Sequence, residues 1–160
     1  MHTIVTIVAK YAVAIPVLAL VVLFWRLDWR RRKELLVLLV VCGILTALLV
    51  KLGTTVHQDP RPFLSDGVTP YFAGSTDNGF PSDHTAFSAL IAFVTLRYST
   101  WLGIGLTALS LLIGTARVVA GVHHGQDIAG GFAIAAAGSV LGMGVYELAR
   151  RSLKRGGRTV

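Results

Sequence analysis

The chain has 160 residues, of which 54% are hydrophobic and only 14% charged. Soluble domains carry about 25% charged residues, so this composition excludes an ordinary water-soluble globule and predicts one integral membrane domain over residues 1–160. The net charge of +7 flanks apolar runs instead of forming a stripe, so the expected partner is the bilayer and not nucleic acid.

Apolar runs at 3–25, 35–52, 85–96, 101–116 and 128–149 predict an all-α, polytopic membrane helix bundle of about five transmembrane helices. A helical span needs about 20 residues. The third run therefore reaches full length only if it starts near Ser82 and lets Arg97 snorkel, and the fourth only if it continues through Val118 and Val119. The first run lacks a basic n-region and a small-residue cleavage site, so it is expected to be retained. Within it Pro16 predicts a kink. Lys10 reads as a cation snorkelling to the interface, ahead of a contact with substrate phosphate. Arg26, Arg30, Arg31, Arg32 and Lys33 follow as a cytoplasmic-type basic loop.

The second run contains Cys42, the single cysteine, which excludes a disulfide framework and a thiolate metal cluster. Beyond Lys51 the segment 53–83 is rich in Gly, Pro, Asp, Asn, Ser and Thr, with Phe63, Tyr71, Phe72 and Phe80 spaced through it. It is expected to be irregular, with its aromatics at headgroup level. Asp59, Asp66 and Asp77 are expected to shape turns, and His57 reads as a solvated loop histidine ahead of a contact to a leaving diphosphate. Pro81-Ser82-Asp83-His84 reads as a helix start, with Ser82 or Asp83 as N-cap and free backbone N–H groups able to bind an anion.

Tyr98-Ser99-Thr100 predicts a turn between the third and fourth runs. An unbroken helix would hold Arg97 at the bilayer centre, where charge is costly, and would separate His84 from His123. With the turn, the first basic loop, Arg97 and the tail Arg150, Arg151, Lys154, Arg155 and Arg158 share the cytoplasmic face. The polar strings then meet at the outer membrane interface. In the last run Gly138 and Gly142 form a small-xxx-small pair, expected to serve packing within the chain and not a dimer face.

The polar strings suit a phosphoryl group. Arg61 and Arg117 can bind phosphate oxygens bidentately, and Lys51 can act as a point charge. His123 and Asp127 are spaced i,i+4, so the carboxylate can accept the Nδ1 proton and leave Nε2 as nucleophile; His84 remains as general acid. His124 is three residues from Asp127, fits the carboxylate less well and reads as an interfacial residue.

Lys51 with Arg61-Pro62, Pro81-Ser82-Asp83-His84, and Arg117 with His123 and Asp127 together resemble the three signatures of the type 2 phosphatidic acid phosphatase superfamily of lipid phosphatases, whose site is shared with vanadium haloperoxidases. Three departures stand out. Lys51 precedes Arg61 by ten residues where the family usually has seven, Asp83 replaces a glycine, and Ala116 replaces a serine. The resemblance implies that His123 attacks phosphorus, Asp127 orients it, and His84 protonates the leaving group. It further implies that Arg61, Arg117, Ser82 and Lys51 hold the phosphate, with no metal and no other cofactor. The string from Asn78 to Thr85 is most similar to undecaprenyl diphosphate phosphatases of the bacitracin-resistance type. That likeness implies recycling of a cell-wall lipid carrier at the outer face of a bacterial plasma membrane, with a polyprenyl or other lipid phosphate as substrate. A phosphatase for phosphatidylglycerol phosphate or phosphatidic acid would use the same residues. A small metal or proton transporter built on His57, His84, His123 and Asp127 is the reading from another class. It is disfavoured because these groups cluster at one interface instead of the bilayer midplane.

Overall fold

Seven helices account for the regular structure of the described residues, 1–156: α1 (His2–Tyr11), α2 (Ala14–Arg26), α3 (Trp29–Val56), the single turn α4 (Pro62–Ser65), α5 (Asp83–Leu96), α6 (Thr100–Val119) and α7 (Gly125–Gly156). The structure is a computed structural model. From the predicted basic tail, Arg158 and the side chain of Arg155 lie outside the described residues.

The helices α3, α6 and α7 are each long and apolar enough to cross a membrane, and α1 with α2 passes the same test as a pair bent by 45°. The break falls at Ala12–Val13, a turn ahead of Pro16, and the proline explains it. Its missing N–H would have bonded to the Ala12 carbonyl and its ring crowds that group. Ile15 takes the carbonyl instead, at 3.0 Å. Asp28 then caps α3, accepting from the Arg30 and Arg31 amides at 3.0 and 3.1 Å.

The third predicted span does not lengthen as its run required. Ser82 and Arg97 are the caps of α5, which keeps 14 residues, short of the about 20 needed for a crossing. Arg97 lies partly exposed at one end of the bundle. Its guanidinium is held between Glu34 of α3 and Glu147 of α7, at 2.7 Å from each, which ties three helices together at one end.

The turn at Tyr98-Ser99-Thr100 is present, with α6 starting at Thr100. Gly103 of α6 lies against Leu96 of α5, while Gly114 lies against Thr85, so the two helices run antiparallel and return Arg117 to the end that carries His84. A second antiparallel pair joins α3 to α7, where Gly138 meets Thr46 and Gly142 meets Cys42. The small residues of the last run thus serve packing within the chain, as expected. Between these pairs α5 is enclosed by α3, α6 and α7. Its Ala89, Leu90 and Val94 join Leu35, Leu38, Cys42 and Ala135 in the core, which is why α5 is apolar nearly all round. Val40, Ile44, Leu111, Leu112, Val140 and Leu141 are exposed on the outer helices, where hydrocarbon would cover them.

Candidate active site

At the end opposite Arg97, the connection between α6 and α7 carries His123. Gly121 supplies the left-handed turn, at φ +72°, and α7 then presents Asp127 in its first turn. His123 Nδ1 lies 3.0 Å from Asp127 Oδ2. On the other side of the ring, Nε2 lies 3.2 Å from Arg61 Nη1 and 3.2 Å from Arg117 Nη2. A guanidinium has donors only, so Nε2 must accept, and the imidazole proton must sit on Nδ1 and be donated to Asp127. The contacts therefore fix the tautomer that leaves a lone pair on Nε2. Burial pushes the His123 pKa below the ordinary histidine value, and the Arg117 and Arg61 cations add to this against the opposing Asp127 hydrogen bond. At neutral pH the ring is an uncharged base.

Both arginines are anchored from behind. Arg61 Nη1 also donates to the Val122 carbonyl at 3.1 Å, and Arg117 Nη1 donates to the Ala9 carbonyl at 3.0 Å. The latter bond brings α1 against the site. Arg117 Nε is buried without a protein partner.

His84 is the second residue of α5 and half-buried. It lines two adjoining cavities. The inner one, ≈ 140 Å³, is bounded by Arg61, Asp77, His84, Arg117 and His123. The outer one, ≈ 230 Å³, shares Arg61, His84 and Arg117 but not His123, and is closed by Lys10 and Phe72. A larger apolar groove of ≈ 560 Å³ runs between α2, α3 and α5 past Leu20, Leu39, Ala86 and Leu90. Asp83 borders both that groove and the inner cavity.

Two residues expected to hold phosphate lie elsewhere. Lys51 is exposed on α3 and lines neither cavity. Ser82 is fully buried: its hydroxyl accepts from Thr85 at 3.1 Å and its amide donates to the Asp127 carbonyl at 3.0 Å. It ties the start of α5 to α7 and does not open into the cavity. His57 is exposed at the end of α3 with its ring edge against Phe80, apart from His84 and His123, which removes one ligand from the transporter reading.

Three aspartates do more than shape turns. Asp77 Oδ1 lies 2.8 Å from Arg61 Nη2 and accepts from Ser75 Oγ at 2.6 Å. The Ser75 hydrogen bond and then Arg61 hold its carboxyl below the usual range, against partial burial. His124 lies between the other two, with Nδ1 2.9 Å from Asp59 and Nε2 3.0 Å from Asp66. A ring with a carboxylate at each nitrogen is favoured as the cation. Its pKa is accordingly raised, first by the Asp66 hydrogen bond and then by Asp59, against partial desolvation. Asp59, His124 and Asp127 each offer one atom within 4.8 Å of the others. These atoms are engaged already, His124 with Asp59, and Asp127 Oδ2 with His123 and the His124 amide at 2.9 Å.

The loop closes on this arrangement through Asn78-Gly79. Asn78 accepts from the Asp59 and Phe80 amides and donates to the Thr54 and His57 carbonyls. A Cβ on Gly79 would stand 3.0 Å from the Asp59 carbonyl and 3.1 Å from Asp127 Oδ2, so a larger residue would push the loop off the dyad.

Known proteins carry the same architecture. The chain is 28% identical over 135 residues to the undecaprenyl-diphosphatase BcrC of Bacillus subtilis, covering 84% of this chain and 69% of that protein. It is 26% identical over 132 residues to the bacitracin transport permease protein BcrC of Bacillus licheniformis, covering 82% of this chain and 64% of that one. It thus spans about two thirds of the length of each. Among solved structures, Aquifex aeolicus LpxE superposes with a TM-score of 0.70 at 28% identity, covering 89% of this chain and 84% of the other. A PAP2-type phosphatidylglycerolphosphate phosphatase from Bacillus subtilis shares the fold, with a TM-score of 0.64 at 23% identity over 91% of this chain and 76% of its own. The PAP2 superfamily model matches residues 34–151, a stretch that takes in all three polar strings, and the chain belongs to that superfamily.

Proposed function

We propose that this protein is a membrane lipid phosphatase that hydrolyses undecaprenyl diphosphate to undecaprenyl phosphate and inorganic phosphate. The observation that carries the phosphatase reading is the His123 Nε2 lone pair between two guanidiniums, at 3.2 Å from each. A phosphoryl group entering there meets a neutral nucleophile and two cations that can move onto its equatorial oxygens. Nε2 attacks phosphorus, and the electron pair of the breaking P–O bond goes to the leaving oxygen. Burial and the neighbouring Arg117, His123 and Arg61 push the His84 pKa down to about 4, so His84 takes up a proton as the phosphate anion enters beside it and passes that proton to the leaving oxygen. Asp127 holds the Nδ1 proton and balances the charge that appears on the imidazole. Water then cleaves the P–N bond, with His84 as base, and releases phosphate. No step calls on a metal.

Similarity to the undecaprenyl-diphosphatase BcrC supports the choice of lipid. On this reading the site lies at the outer face of a bacterial plasma membrane, and the product lipid re-enters cell-wall synthesis. A glycerolipid phosphate is the competing substrate class, favoured by the common fold with the phosphatidylglycerolphosphate phosphatase.

The test is phosphate release by purified protein from undecaprenyl diphosphate, phosphatidylglycerol phosphate and phosphatidic acid, each with and without EDTA. The diphosphate is expected to give the highest kcat/KM, unchanged by chelation. A preference for either glycerolipid would overturn the substrate, and loss of activity with EDTA restored by a divalent ion would overturn the mechanism.

A further inference from the structure

The outer cavity has a cation that the three polar strings do not supply. Lys10 belongs to α1, outside the stretch 34–151 matched by the family model. Yet it lines the outer cavity together with Arg61, His84 and Arg117. Its Nζ stands 5.4 Å from the Phe72 ring centroid and 5.6 Å from that of Tyr11, and it forms no ion pair with a carboxylate among the described residues. The side chain is exposed, but the helix that carries it is held in place. The neighbouring Ala9 is fully buried and its carbonyl takes the Arg117 guanidinium at 3.0 Å, while His2 stacks on Tyr71 with ring centroids 4.0 Å apart. Helix α1 is thereby docked on the site with Lys10 at the cavity.

The two cavities divide the labour. Only the inner one touches His123, only the outer one touches Lys10, and His84 borders both. We infer that Lys10 binds the leaving phosphate of a lipid diphosphate, and so makes this site a diphosphatase in preference to a monoesterase. This rests on the phosphatase reading of the same site and names the residue that selects the substrate class. The transferred phosphoryl group occupies the inner cavity and the lipid-bearing phosphate the outer one, which brings the bridging oxygen beside His84. When Nε2 bonds to phosphorus, the bridging P–O bond breaks and its electron pair stays on the lipid phosphate. That group gains one negative charge, offset by Lys10 and by the proton from His84. A monoester has no second phosphate, so Lys10 has nothing to hold. Lys10 also supplies at the cavity the cation that Lys51, which lines neither cavity, does not bring.

The experiment uses the full chain and two lipids with one tail, farnesyl diphosphate and farnesyl monophosphate. Lys10→Met is expected to lower kcat/KM for the diphosphate by about tenfold to a hundredfold, the range for losing one charged hydrogen bond. It should change the monophosphate rate by less than about twofold. Lys10→Arg should keep most of the diphosphate rate, and thermal unfolding of each variant checks that α1 remains docked. Equal losses on both substrates would make Lys10 a structural residue and overturn the inference. An unchanged diphosphate rate in Lys10→Met would overturn it while leaving the phosphatase reading intact. Wild-type protein inactive on both lipids would overturn the two together.

Discussion

Two histidines adjacent in sequence are set to opposite charge states by what faces their ring nitrogens. His123 has a carboxylate on one side and two guanidiniums on the other, in a buried site, and is kept neutral. His124 has a carboxylate on each side and is held as the cation. Because the folded pKa of His124 is raised above the ordinary 6.5, its contribution to stability is full below that value and is lost as pH rises through the folded pKa. Unfolding of wild type and His124→Gln should therefore differ most near pH 6, with the gap closing at alkaline pH; a gap that widens upward would refute the bridging role. For the dyad, Asp127→Asn should lower kcat by about 10²- to 10⁴-fold with phosphate binding retained, since the neutral amide cannot balance the charge on the imidazole and can turn its NH2 to Nδ1, which favours the wrong tautomer. Unchanged turnover would remove Asp127 from the mechanism. Spacing made the His123–Asp127 pair legible in the sequence. It gave no sign of His124, whose partners are 65 and 58 residues away.

Among the helices, the α3–α7 pair bears most on the geometry of the site, because α7 begins at the dyad and α3 leads into the loop that closes over it. The two approach through missing side chains. A Cβ on Gly138 would come within 2.9 Å of Thr46 Cα, and one on Gly142 within 2.8 Å of Cys42 Cα. Gly138→Val should therefore cost about 1–3 kcal/mol in unfolding measured in detergent. Gly105→Ala, whose Cβ would meet no atom within 4 Å beyond its chain neighbours and the local backbone of its own helix, should be neutral or stabilising by up to about 1 kcal/mol. Similar effects at the two positions would show that the helices are not in this contact. The glycine spacing was readable, and so was the kink set by Pro16. The shortness of α5 was not. Its run could be extended on paper through Ser82 and Arg97, but Ser82 is committed to Asp127 and Arg97 to Glu34 and Glu147.

At the level of the whole molecule, both polar ends of the bundle are defined, one by Arg97 with Glu34 and Glu147, the other by His84, Arg117 and His123. Positive charge outside the site gathers at the first of these, in Arg26, Arg30, Arg31, Arg32, Lys33, Arg150, Arg151 and Lys154, so that end should face the cytoplasm. In a Cys42→Ala background, cysteines placed singly at Thr69 and Ser152 are expected to react with an impermeant thiol reagent from opposite sides of intact cells, Thr69 from outside. Labelling of Thr69→Cys only after the inner face is opened would put the site in the cytoplasm and sink the proposed role on an externally released lipid.

The sequence by itself determined what local spacing and composition control: apolar runs long enough to demand hydrocarbon, a polar turn that brings two histidines to one end, and a histidine with a carboxylate one helical turn away. These signals survive in one dimension because each is a property of neighbours. Only the tertiary structure decided which charged groups reach the candidate site. Lys10 arrives because α1 docks on Arg117, across a separation of 108 residues, and Asp77 because its loop folds back on Arg61. Lys51 is left exposed on α3. Helix docking and loop closure are set by packing and by hydrogen bonds between distant segments, and neither leaves a periodic trace along the chain.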